Sequence, residues 1–362
     1  MESKISFFMG ANSPAGFVSL FDDLYNPKGT RRCYIIKGGP GTGKSRLMKK
    51  IAAAAETNGL ACEYIYCASD PDSLDAVIIP ELDLCLADGT SPHVIEPRYP
   101  GATEQIINLG DCWDEKLLSD SRAKIVELTD MCSHCHKRCI RYLHAAGSLR
   151  TDIRLLASRY VNNEKIQTYA SRFASREFPS KSETRGAVTH RFLSAVTPKG
   201  VIAHGSTVSM MCKRVIGIDD EHYCASGVLL NELKEHALNR GLDVICCPCP
   251  LDPYGNPEHL IIPSLSLAFV TLREHHPFNI VVNRVVHVSR FTDNVGLSAH
   301  KNRITFVKKA YGELIDEAAR LMAQAKGIHD ELEDYYIAAM DFSAVNRMTD
   351  ALRESFGLPP TP

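Results

Sequence analysis

The chain has 362 residues, enough for two domains or one large one. Apolar residues make up 44% and charged residues 23%, ordinary globular usage that excludes wholesale disorder. Lys and Arg number 41 against 43 Asp and Glu, a formal charge of −2 that argues against a nucleic-acid coat or a polybasic membrane binder.

No apolar run approaches the roughly 18 residues that span a bilayer. The N-terminal stretch Met1–Phe17 carries one Lys and a short, broken apolar segment, a poor secretory signal. Thirteen cysteines without such a signal read mostly as buried reduced thiols. The expectation is a soluble, cytoplasmic protein.

In chain order, the first informative stretch is Arg32–Ile51. A β-prone run, Cys33–Ile36, leads into Gly38-Gly-Pro-Gly-Thr-Gly-Lys-Ser45, which fits G-x-x-x-x-G-K-[ST]. A helical pattern of Leu47, Ile51, Ala54 and Ala55 follows. Glycines in such a loop let successive N–H groups converge on one concavity, and the helix N-terminus adds partial positive charge there. The motif predicts a Walker A nucleotide site made of Gly38, Gly39, Pro40, Gly41, Thr42, Gly43, Lys44, Ser45 and Arg46. Lys44 is expected to reach the β- and γ-phosphates, and Ser45 to ligate Mg²⁺.

The next β-prone run, Leu60–Cys67, ends in Asp70-Pro-Asp-Ser-Leu-Asp75. Ligands of open α/β sheets sit beyond the carboxyl ends of strands, which makes Asp70 a candidate base for an acceptor hydroxyl. The other reading is that Asp70 and Asp72 shape a turn around Pro71. Leu82–Asp88 is an apolar run ending in an acid, the Walker B pattern, so Asp88 is the expected second Mg²⁺ residue. Gly89 follows it, where many hydrolytic ATPases have Glu, and fast hydrolysis is therefore not expected. His93 is a candidate γ-phosphate sensor or a surface-loop histidine. Glu81 precedes its strand and belongs at the opposite edge. Arg98, Arg122, Arg138 and Arg141 are candidates for a charge-stabilising finger.

Cys132, Cys135 and Cys139, with His134 or His136, have side chains suited to a metal or redox site. They also follow a helical spacing with Ile125, Leu128, Tyr142 and Ala146, which favours a buried helix seam. Cys246–Cys249, at a strand end, is a weaker metal candidate.

The chain then repeats itself. Phe8, Pro14 and Gly16 recur as Phe192, Pro198 and Gly200 at a spacing of 184, and Ile-Ile-Pro80 recurs as Ile-Ile-Pro263 at 183. Asn58-Gly-Leu recurs as Arg240-Gly-Leu. The seam of the first half has a counterpart in Ile304, Val307, Tyr311, Leu314, Ala318, Leu321 and Ala325. Gly147 and Gly327 are read as helix ends, giving one helical hairpin per half. In the second half Asp220–Gly227 stands where the glycine loop should be. Ser226 replaces Lys44, Gly227 replaces Ser45 and Thr271 replaces Asp88, and the acids Asp220 and Glu221 repel a triphosphate there.

With these motifs, the Asp70–Asp75 segment and Asp88–His93, the chain resembles a family of bacterial tandem P-loop proteins described as hypothetical ATPases. That resemblance spans essentially the whole chain and implies a P-loop NTPase fold with ATP as nucleotide. The absence of an NKxD motif in the first half agrees with ATP. The expected fold is α/β, with tandem P-loop-type, doubly wound, mainly parallel sheets. Residues 1–185 form the intact domain and 186–362 the degenerate copy, with the boundary in Ser180–Gly186. The expected function is ATP binding with slow Mg²⁺-dependent hydrolysis acting through a protein partner. The alternatives are a small-molecule or nucleotide kinase and a non-catalytic nucleotide-dependent module.

Overall fold

The computed structural model describes residues 4–24, 31–180, 182–273 and 278–360. Met1–Ser3 of the N-terminal reading and Lys181 of the expected boundary lie outside them.

The first half contains β1 (Ile5–Phe8), β2 (Gly10–Ser13), β3 (Gly16–Ser19), β4 (Arg32–Lys37), α1 (Lys44–Thr57), β5 (Glu63–Tyr66), β6 (Leu74–Ile79), β7 (Leu84–Asp88) and β8 (Glu104–Asn108). It continues with α2 (Glu115–Asp120), α3 (Arg122–Ser158) and α4 (Asn163–Glu177). The second half contains β9 (Val188–His190), β10 (Ser194–Thr197), β11 (Gly200–Ala203), α5 (Gly205–Met211), β12 (Arg214–Asp219), α6 (Ala225–Leu238), β13 (Val244–Cys249), β14 (Asp252–Ile262), β15 (Leu267–Leu272) and β16 (Arg284–His287). It ends with α7 (Asn294–Ser298), α8 (Lys301–Ala339) and α9 (Phe342–Ser355).

The duplication is visible in the topology. One sheet runs β1-β5-β6-β7-β4-β8 and the other β9-β13-β14-β15-β12-β16, the same order position by position. Each half also has a small antiparallel ribbon, β2–β3 and β10–β11. Its turn is closed by Ser13 Oγ on the Gly16 carbonyl (2.8 Å) or Thr197 Oγ1 on the Gly200 carbonyl (2.7 Å).

Both sheets are mixed: five strands of each run one way, as mainly parallel sheets would have it, and one runs against them. β6 runs antiparallel to β5 and to β7, as β14 does to β13 and β15. The links 67–73 and 80–83 are too short for the crossover of a dozen or more residues that a parallel pair requires, so they make hairpins.

The sheets are not doubly wound. Alternate residues of one face, Cys33, Ile35, Ala76, Cys85 and Ala87, share a core with Val215, Cys247, Ile261, Ala268 and Val270 of the other sheet. The two sheets thus bury their inner faces against each other. With hairpins replacing crossovers, too few helices remain to cover both faces of each sheet, and the duplicate sheet covers the second one. The outer faces carry helices: Tyr34, Ile36, Val77 and Leu86 pack with Leu47, Met48 and Ile51 of α1.

The long helices differ from two separate hairpins. α3 and α8 run through Gly147 and Gly327 and pair with each other in antiparallel fashion. Lys124 lies 3.6 Å from Glu331 at one end, and Arg303 binds Asp152 at the other. Gly147 lies inside α3, where its missing side chain admits Pro14, whose Cγ lies 2.6 Å from where a Cβ would stand. The shorter helices then cross over. Ile166, Ala170 and Phe173 of α4 pack on the second sheet, and Val345 of α9 with Phe356 and Leu358 packs on the first. No helix among the described residues is long and apolar enough to cross a membrane.

Candidate functional site

The glycine loop joins the end of β4 to the start of α1. Gly41 (φ +66°) and Gly43 (φ +95°) adopt left-handed backbone, the conformation that turns their N–H groups into the loop's concavity. Thr42 is buried and its Oγ1 donates to the Gly39 carbonyl (2.8 Å), closing the turn. Lys44 Nζ donates to the Gly38 and Gly39 carbonyls (3.1 and 2.6 Å) and lies 3.6 Å from Asp88 Oδ2. Asp88 is close because β7 lies parallel to β4, with Ile36 opposite Asp88. Its other oxygen accepts from the Thr90 N–H (2.9 Å). Ser45 Oγ accepts the Leu74 N–H (3.0 Å), tying the loop to β6. Arg46 is exposed at the cavity rim.

These groups line a cavity of about 960 Å³. One wall is the loop, the second the β5–β6 turn and residues 88–93, and the third α3 and α8. α8 crowds the loop: a Cβ on Gly39 would stand 2.4 Å from the Tyr336 ring, and one on Gly41 would stand 2.9 Å from the Glu333 carbonyl. The Gly41 N–H donates to Glu333 Oε1 (3.1 Å). A carboxylate from the second half therefore sits on a loop amide.

Asp70 faces the same cavity, with Oδ2 accepting from Ser73 Oγ (2.7 Å) and lying 3.7 Å from Lys326 Nζ on α8. Burial opposes the charge on Lys326, but Asp330 and Asp70 outweigh it and raise its pKa. Asp72 points away and pairs with Lys199. His93 is not a surface histidine: it is 6% exposed, with Nε2 3.2 Å from Asp75 Oδ1. Burial works against its protonation, and the Asp75 carboxylate overcomes that and raises its pKa. Glu81 lies at the far end of β7 and accepts from the Ala61 N–H. Arg98, Arg122, Arg138 and Arg141 do not line the cavity; Arg98 pairs with Asp22.

Cys139 lies in the α3–α8 seam among Leu143, Tyr311, Ile315 and Ala318, and Cys135 is 4% exposed. Cys132 borders the cavity, and His134 is exposed. Cys246 and Cys249 are buried in β13. Neither cysteine group gathers three metal-ligating side chains among the described residues.

The second-half loop is closed by its own acid. Ser226 donates from both N–H and Oγ to Asp220 Oδ2 (2.8 Å each), and Asp220 is fully buried. Sequence reasoning missed the α8 residues Lys326, His329, Glu333 and Tyr336 because they come from the other repeat. Their sequence signal was a run of polar residues on one face of a seam helix. Comparison with protein-family models, curated proteins and solved structures returned no match.

Proposed function

We propose that the chain is a P-loop ATPase that binds Mg-ATP at Gly38–Ser45 and hydrolyses it slowly, passing the change to a protein partner through α8. In this reading Lys44 meets the β- and γ-phosphates, Ser45 and Asp88 hold Mg²⁺, and the loop N–H groups cradle the phosphates. The observation that carries it is the Glu333 carboxylate on the Gly41 N–H. A phosphate arriving there must displace that carboxylate, which is part of α8, so binding is coupled to a long helix. Gly89 after Asp88 leaves no adjacent Glu to activate water, consistent with slow turnover. The second half supports one site rather than two, since Asp220 already fills its loop. The motif resemblance supports ATP as the nucleotide.

The test is phosphate release from Mg-ATP by the wild type and Lys44→Ala, with and without a pool of nucleosides, nucleotides and sugars. Acceptor-independent release, lost in the variant, is expected. ADP formation that requires the pool would replace the reading with a phosphotransferase using Asp70. Unchanged ATP binding by Lys44→Ala would overturn the site itself.

A further inference from the structure

Three residues that hold neither the phosphates nor Mg²⁺ in the proposed function meet at one corner of the same cavity. Cys67 follows β5, Asp75 is the second residue of β6, and His93 lies on the segment after β7. The Cys67 thiol, an Asp75 carboxylate oxygen and a His93 ring nitrogen lie within 4.8 Å of one another. Asp75 is 3% exposed, and its Oδ2 and the His93 Nδ1 are buried without a hydrogen-bond partner. The imidazole is fixed between Phe17 and Phe21, with ring centroids 5.2 and 4.9 Å away. His93 meets one oxygen of this buried carboxylate, Nε2 to Oδ1 at 3.2 Å, and the second oxygen is left free for a cation.

The duplication supplies an internal comparison. Ala76 opposite Ala87 matches His259 opposite Val270, which makes Glu258 the counterpart of Asp75. Ile65 opposite Ala76 matches Cys247 opposite His259, which makes Cys249 the counterpart of Cys67. In the second half the buried carboxylate is met by a fixed cation, the Arg273 guanidinium bonded to Glu258. Both carboxylates have an imidazole and a thiol nearby, His259 standing 3.7 Å from Glu258, but in the first half the imidazole and thiol of His93 and Cys67, both metal ligands, are grouped at the carboxylate.

We propose that Cys67, Asp75 and His93 form a transition-metal site of the Zn²⁺ class, with its fourth position open to the cavity. Thiolate and imidazole select a borderline metal over Mg²⁺, which takes oxygen ligands. Ligand atoms of a tetrahedral zinc site stand roughly 3.3–3.8 Å apart, so groups that lie within 4.8 Å of one another need to close by about 1.5 Å at most. Three protein ligands leave a position for water or a substrate oxygen, as in catalytic rather than structural zinc. Metal binding releases the thiol proton to solvent and leaves the thiolate on the ion.

The site stands independently of nucleotide binding, so it is tested on the full chain without nucleotide. Chelator-treated protein is equilibrated with Zn²⁺, or with Co²⁺ as a spectroscopic stand-in, and metal content and absorption are measured. One equivalent of metal and a thiolate-to-Co²⁺ charge-transfer band in the wild type are the expected results. Cys67→Ala and His93→Asn should each weaken binding by about a hundredfold or more. Cys249→Ala, Lys44→Ala and the Cys132/Cys135/Cys139 triple Ala variant should keep both metal and band. Absence of the band in the wild type, which needs no variant to fold, overturns the proposal. Retention of metal by folded Cys67→Ala overturns it as well.

Discussion

The Gly41 amide and the Glu333 carboxylate, 292 positions apart in sequence, are joined by a 3.1 Å hydrogen bond across the two repeats. Any phosphate oxygen that takes the Gly41 N–H competes with this carboxylate. Glu333→Gln keeps the side-chain shape but removes the charge, weakening the internal competitor. Triphosphate affinity is expected to rise by about three- to tenfold, the scale of the difference between a charge-assisted and a neutral hydrogen bond. Isothermal titration with a non-hydrolysable triphosphate measures it, and unchanged or weaker binding would show that Glu333 does not occupy the phosphate position.

Lys44 and Ser226 hold corresponding places in the two repeats, and their removal should have opposite signatures. Lys44→Ala leaves the Gly38 and Gly39 carbonyls without the ammonium and is expected to lower triphosphate affinity by about a hundredfold. Ser226→Ala removes one of the three hydrogen bonds that the buried Asp220 carboxylate accepts and should cost about 1–2 kcal/mol of stability with triphosphate affinity unchanged. Chemical denaturation and titration of both variants separate the two effects. A loss of triphosphate binding in Ser226→Ala would make the second loop part of the site.

The crossed helices predict that residues 1–185 do not fold alone. In that fragment the outer face of the first sheet loses Val345, Phe356 and Leu358, while Ile166, Ala170 and Phe173 of α4 lose their own sheet. Exposing large side chains costs about 1.5–3 kcal/mol each, a total for the five large ones comparable to the roughly 5–15 kcal/mol stability of an ordinary domain. The expressed fragment should show no cooperative thermal transition. A cooperative transition with nucleotide binding would make the first repeat an autonomous domain.

What the sequence made legible and what it hid divide along physical lines. The glycine loop, the strand ending at Asp88 and the repeat of Pro14–Gly16 in Pro198–Gly200 are local features, set by backbone and turn chemistry within a few residues. The mixed sheet was hidden because an apolar run such as Val77–Ile79 reads the same in either direction; only the short link to Leu84 carries the antiparallel sign. The crossing of α4 and α9 was hidden because an apolar stripe records that a helix face is buried and not which sheet buries it. Glu333 escaped for a related reason: its role depends on a loop nearly three hundred residues away.

Cys132, Cys135 and Cys139 mark the α3–α8 seam, and their replacement should act on packing. The triple Ala variant loses buried volume at Cys135 and Cys139 and is expected to cost about 1 kcal/mol at each. Triphosphate affinity should stay within about twofold, since only Cys132 reaches the cavity and its thiol donates to the Ala325 carbonyl. Denaturant unfolding beside titration checks both. A large loss of affinity at unchanged stability would mean that the seam cysteines act on the site.

His204 gives the protein a calculable sensitivity to acid. Its ring stacks on Phe8 with centroids 4.6 Å apart, its Nε2 is buried without a partner, and burial lowers its pKa to about 4. An unfolded histidine titrates near 6.5, so between these values the unfolded chain binds a proton that the folded one refuses. The contribution to stability is complete above pH 6.5 and is lost as pH falls through the window from 6.5 to 4. Its size is about 3 kcal/mol, and it does not change further below pH 4. His204→Leu removes the titrating group, so the wild type should lose about that much stability relative to the variant between pH 7 and pH 4. Equal pH slopes for the two proteins would show that the ring is protonated in the folded state.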